Sequence, residues 1–145
     1  MGYTHYMKQE KKIKLAPLQK ELIKEVLQEN KKILFGMDGT GKPIFNDKEI
    51  SFNGNALTDE DHESFSIEFE KISGFEFCKT AAKPYDLAVC KILLILSLSE
   101  GFSFSSDGSS GGKLTDENWP EALTWFIQKG YADTIEKKII PSLSE

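Results

Sequence analysis

The chain has 145 residues, 39% of them hydrophobic and 28% charged. That balance suits one core-bearing domain over residues 1–145 and excludes both a disordered chain and a membrane protein. A net charge of −5 argues against a nucleic-acid partner, which needs a surplus of Lys and Arg.

The N-terminus is polar and aromatic, without the apolar segment of a secretory leader, and Tyr6 stands where a myristoylation motif wants Ser or Thr. Gly2 to Met7 reads as a short strand. From Leu15 to Asn30, Leu18, Leu22, Val26 and Leu27 recur at helical spacing, Pro17 suits the first turn and Asn30 the end. Lysines cluster from Lys8 to Lys32, but Glu10, Glu21, Glu25 and Glu29 are interleaved with them, so the stretch reads as a solvated helix face.

Short strands follow. Ile33 to Met37 and Lys42 to Phe45 flank the turn Asp38-Gly39-Thr40-Gly41. Glu49 to Phe52 is a further strand, and Thr58 to Glu63 an acidic loop. Phe65, Ile67 and Phe69 alternate with polar residues, as in a half-buried strand, and Phe75 and Phe77 repeat the pattern. Pro84 opens a second helix, apolar nearly all round from Leu87 to Leu98, which must be central and buried. It is too short to cross a bilayer and contains Lys91. Its expected buried set is Leu87, Val89, Ile92, Leu93 and Leu96, with Phe65, Phe77 and Phe104 from the strands.

Phe102 to Ser105 alternates as a strand, and Ser106 to Gly112 is a Gly/Ser loop. A third helix is capped near Thr115 or Asn118, has Pro120 early and Gly130 at its end, and turns Leu123, Phe126 and Ile127 inward. Pro141 should stop any helix in the tail. The hairpin-like connections predict an α+β fold: a mainly antiparallel sheet with about three helices packed on it. Cys78 and Cys90 form no CxxC pair, and nothing indicates an oxidising compartment. The expected location is the cytoplasm, without membrane contact.

Three stretches approach known chemistry. "GMDGTGKP" has the Gly–Gly–Lys spacing of a phosphate-binding loop, but Pro43 replaces the Mg²⁺-binding hydroxyl and no helix follows. "SSDGSSGGKLTDEN" resembles a calcium loop whose closing Glu is replaced by Asn118. His62 stands among Asp59, Asp61 and Glu63, and would make a metal site with His5 only if the fold joined them. We therefore expect no cofactor and no metal.

"FCKTAAKPYD" raises a question of electrostatics. Lys79 and Lys83 sit at a helix start, where the macrodipole disfavours cations unless an anion lies between them, although Asp86 can itself satisfy the dipole. Together, "MGYTHY", "DGTGKP", "FNG" followed by "HESF", "FCKTAAKPYD" and "SSDG" resemble a family of small, uncharacterised phage and bacterial proteins whose chains begin with a GYTHY-like stretch. The resemblance covers Met1 to Tyr6 and most of Ile33 to Gly108. It implies a phage or mobile-element connection and supplies no activity.

If the polar turns converge, Thr4, His5, Asp38, Lys79, Lys83, Tyr85 and Asp107 line a pocket for a small anionic ligand. The expected function is non-enzymatic binding of such a ligand or of a partner protein. The alternative is a small hydrolase or transferase, with His5 or His62 as base and Asp38 or Asp107 in support.

Overall fold

A computed structural model describes residues 3–107, 114 and 117–143. Met1, Gly2, most of the Ser/Gly loop with its calcium-like pattern, and the proposed cap Thr115 lie outside the described residues.

The fold is α+β. In place of one sheet there are two, each of three antiparallel strands. In the first, β1 (Thr4–Gln9) lies between β5 (Ser73–Lys79) and β6 (Phe102–Ser106). In the second, β3 (Glu49–Phe52) lies between β2 (Ile44–Phe45) and β4 (Phe65–Glu68). The helices are α1 (Pro17–Glu29), α2 (Asp86–Leu96) and α3 (Trp119–Gln128). α2 packs against α1, α3 and β6. Every residue of α2 is buried except Leu87, which is half-buried, as its apolar composition requires. Residues of both sheets and all three helices join one core. No described helix is long and apolar enough to cross a membrane.

Gln19 shows how one residue sets two junctions. Its Oε1 accepts the Ala16 N–H and so closes the start of α1. Its Nε2 donates to the Ile95 carbonyl and the Ser99 hydroxyl, tying α1 to the end of α2.

Several expectations are corrected. Ile33 to Met37 is no strand: the N–H groups of Ile33 and Leu34 donate to the Asn30 carbonyl, continuing the turn beyond α1. Only Phe35 pairs, with Asn53. β2 pairs instead with β3. Phe77 is 51% exposed because register places it opposite Tyr6, on the sheet face away from the core. Cys78, opposite His5, takes the inward position. Leu18 and Ile127 are exposed rather than core-facing. Pro141 does not stop the tail, which is helical through Ala132–Thr134, Ile135–Ile139 and Ile140–Leu143. The middle piece is a π-helical turn, so the proline meets a new first turn, where its missing N–H is tolerated.

Candidate functional site

Two regions gather polar chemistry. The first is a junction where the start of β1, the end of β5, the first turn of α2 and the start of α3 meet. His5 points inward from β1, and its Nε2–H donates to Asp86 Oδ1 at 2.6 Å. Asp86, in the first turn of α2, also accepts from the Thr80 hydroxyl, from Asn118 Nδ2 at 2.9 Å and from the Cys90 thiol at 3.6 Å. Neither His5 nor Asp86 reaches solvent.

Burial alone would raise the Asp86 carboxyl pKa. The hydrogen bonds from His5, Thr80 and Asn118 outweigh it and hold the group below its ordinary value. Burial pushes the Cys90 thiol well up and Cys78 to about 12, so neither is a ready nucleophile. It also raises the Tyr85 hydroxyl, which donates to the Glu63 carbonyl at 2.5 Å.

Backbone strain concentrates at this junction. The non-glycine residues with positive φ among those described are Asp38, Asp59, Ala81, Ala82 and Glu117. Ala81 and Ala82 follow Thr80, and Glu117 precedes Asn118, so both chain segments that hand donors to Asp86 are strained. The Asp59 carbonyl accepts from Lys83 Nζ. The Asp38 N–H donates to Ser64 Oγ, itself bound by Asn53. Such conformations persist only where the surroundings over-determine them.

The residues singled out from the sequence therefore serve distinct partners. Asp107 accepts from the Thr4 N–H at 3.0 Å and the Tyr6 hydroxyl at 3.1 Å. Lys83 donates to the Asp59 carbonyl at 2.8 Å, whereas Lys79 Nζ lies over the Phe77 ring, 5.9 Å from its centroid. The two ammonium groups do not meet over one site. Tyr85 is wholly buried, Asp38 is exposed, and His62 is exposed, its N–H held by Asn53. The partner the sequence analysis did not pair with His5 is Asp86, assigned there to the helix dipole. The signal was present: an acid at a helix start beside an inward-facing strand position.

The second region was not anticipated. Two open grooves of about 680 and 980 Å³ flank α1 and share Lys24 and Phe45. Lys12, Lys14 and Lys20 complete the basic rim of the first, Lys31 and Lys42 that of the second. The opposing carboxylates in the linings are Asp47 and Glu70 only: six lysines against two acids. Lys20 pairs with Asp47. Among the described residues Lys12, Lys14, Lys24, Lys31 and Lys42 have no ion pair and no side-chain hydrogen bond. Apolar groups floor both grooves: Ile13, Leu15 and Phe69 in one, Leu27, Leu34 and Phe35 in the other. Lys42 follows the glycine-rich turn and is followed by β2, not by a helix.

No protein-family model, no curated protein and no solved structure matches the chain.

Proposed function

We propose that the protein is a non-enzymatic binding module for an anionic partner, and that the partner is an acidic segment of another protein lying in the grooves along α1. One observation carries this reading: lysines outnumber acids three to one around two adjacent apolar-floored grooves, in a chain whose net charge is −5. Positive charges left without partners attract carboxylates, while the apolar floor accepts the side chains between them. α1 spans ~20 Å at 1.5 Å per residue, room for a short extended or helical peptide.

A protein partner fits better than nucleic acid. All the cations of this chain are lysines, and no arginine is available for bidentate contact with phosphate. The acid–base alternative has one observation in its favour, the His5–Asp86 contact. Both groups are wholly buried, however, and a general base must come within hydrogen-bond reach of its substrate.

The test uses fluorescently labelled peptides of alternating Glu and Leu, against matched Gln–Leu peptides and an oligothymidylate, read by anisotropy. Binding of the Glu peptide that weakens with salt and is lost in the triple variant Lys24→Glu, Lys31→Glu, Lys42→Glu supports the reading. Equal affinity for the Glu and Gln peptides overturns it. Preference for the oligonucleotide moves the partner to nucleic acid and overturns the protein-partner assignment.

A further inference from the structure

Beneath the first turn of α2, three donors of the kinds zinc accepts meet: an imidazole nitrogen of His5, a carboxylate oxygen of Asp86 and the sulfur of Cys90. Their ligand atoms all lie within 4.8 Å of one another, and among the described residues no other His, Cys, Asp and Glu side chains gather in this way. Asp86 and Cys90 stand four residues apart, one turn along the same helix face, and β1 carries His5 against them. We propose that this centre binds one zinc ion, independently of the grooves along α1.

The geometry is close to what the metal requires. Zinc–ligand bonds of ~2.0–2.3 Å in a tetrahedron put neighbouring ligand atoms ~3.3–3.7 Å apart. Cys90 Sγ and Asp86 Oδ2 are already 3.6 Å apart. His5 Nε2 meets the carboxylate's other oxygen, Oδ1, at 2.6 Å, so the ring must move off by under ~1 Å and the carboxylate must turn until one oxygen neighbours both partners. The charges also balance. One carboxylate and one thiolate neutralise Zn²⁺, and a buried site tolerates no net charge. The Asn118 amide, 2.9 Å from Asp86 Oδ2, is the nearest candidate for the fourth position, since its oxygen and nitrogen exchange by a flip about the amide axis.

A second observation concerns the proton that a metal on His5 Nε2 would displace. His5 Nδ1 is one of two buried side-chain polar atoms among the described residues without a hydrogen-bond partner; the other, Ser51 Oγ, is in β3. The ring lies edge-on to Tyr3 and Trp119, so the described residues leave the bonding of this imidazole incomplete. On metal binding Nε2 of the neutral imidazole becomes the ligand, its proton moves to the vacant Nδ1, and the Cys90 thiol proton leaves for solvent. The exchange is one Zn²⁺ in and one proton out. The strained turns at Ala81, Ala82 and Glu117 adjoin Thr80 and Asn118, the side chains that bond Asp86 from outside the metal donor set.

Because the centre is wholly buried, metal should enter as the chain folds. The full-length protein is refolded from denaturant with Co²⁺ or Zn²⁺ and then desalted. The expected result is one retained metal per chain, a thiolate-to-cobalt charge-transfer band, displacement of cobalt by zinc, and a thermal midpoint higher than that of metal-free protein. The band should vanish in Cys90→Ser and survive in Cys78→Ser, whose sulfur lies outside the cluster. Failure of the wild-type chain to retain stoichiometric metal overturns the proposal whether or not the variants fold. A cobalt band that persists in Cys90→Ser overturns it as well.

Discussion

The junction around His5 and Asp86 and the grooves along α1 dispose of charge in opposite ways. At the junction a single carboxylate accepts from four side chains and is sealed from water. In the grooves five lysines stand open without an ionic partner among the described residues. A buried hydrogen-bonded network ties chain segments together, and removing one member exposes the cost of all the others. An unsaturated exposed set contributes little to folding and leaves its interaction energy for a partner. Variants of the two regions should therefore separate stability from binding.

The largest loss is expected at the junction. Asp86→Ala leaves His5, Thr80 and Asn118 without their acceptor and should cost ~3–5 kcal/mol in denaturant unfolding. A loss below that of an ordinary surface substitution would break the comparison. Leu93→Ala, in the buried middle of α2, should cost ~2–5 kcal/mol through lost transfer energy and the cavity left behind. An unfolding midpoint equal to that of the wild type would remove α2 from the centre of the core.

Acid sharpens the contrast further. The Asp86 carboxyl is held below its ordinary value in the folded protein. Its contribution to stability is therefore complete above the unfolded value of ~3.9 and is lost as pH falls from there through the lower folded value. Thermal midpoints of wild type and Asp86→Asn should differ most above pH ~4 and converge at lower pH. Parallel curves down to the acid limit would detach Asp86 from this behaviour.

Smaller effects are expected from the strained turn and smallest of all from the grooves. Ala81→Gly relieves a left-handed alanine, worth ~1–2 kcal/mol, against a glycine entropy cost of ~0.5–1 kcal/mol, so stability should rise slightly. A clear fall would mean that the alanine methyl is needed there. Lys24→Glu should change unfolding free energy by no more than ~0.5 kcal/mol while abolishing most of the binding to an acidic peptide. A large destabilisation would place Lys24 in the fold rather than in a docking surface.

Periodicity in the sequence determined the elements with the strongest local signal. The near-continuous apolar run of α2, the amphipathic spacing of α1 with Pro17 and Asn30 at its ends, and the alternation in β4 and β6 all form at the expected places. These depend on local patterning, which any core-forming fold must respect. What tertiary structure decided was which face each strand turns inward. Phe75 and Phe77 have the same alternation as Phe65 and Ile67, yet pairing with β1 gives the inward positions to His5 and Cys78 and sends the phenylalanines outward. Division of the strands between two sheets is equally a matter of pairing, and a strand pattern does not name its partner. The candidate sites follow the same rule. Lys24 on α1 and Lys31 just beyond its end look like a solvated face until Lys42, brought from the turn before β2, closes the groove against them. His5 and Asp86 are separated by most of the chain and acquire meaning as a pair only where β1 meets the first turn of α2. Local pattern registers burial and periodicity, whereas charge pairing acts through space between segments that the chain alone does not bring into register.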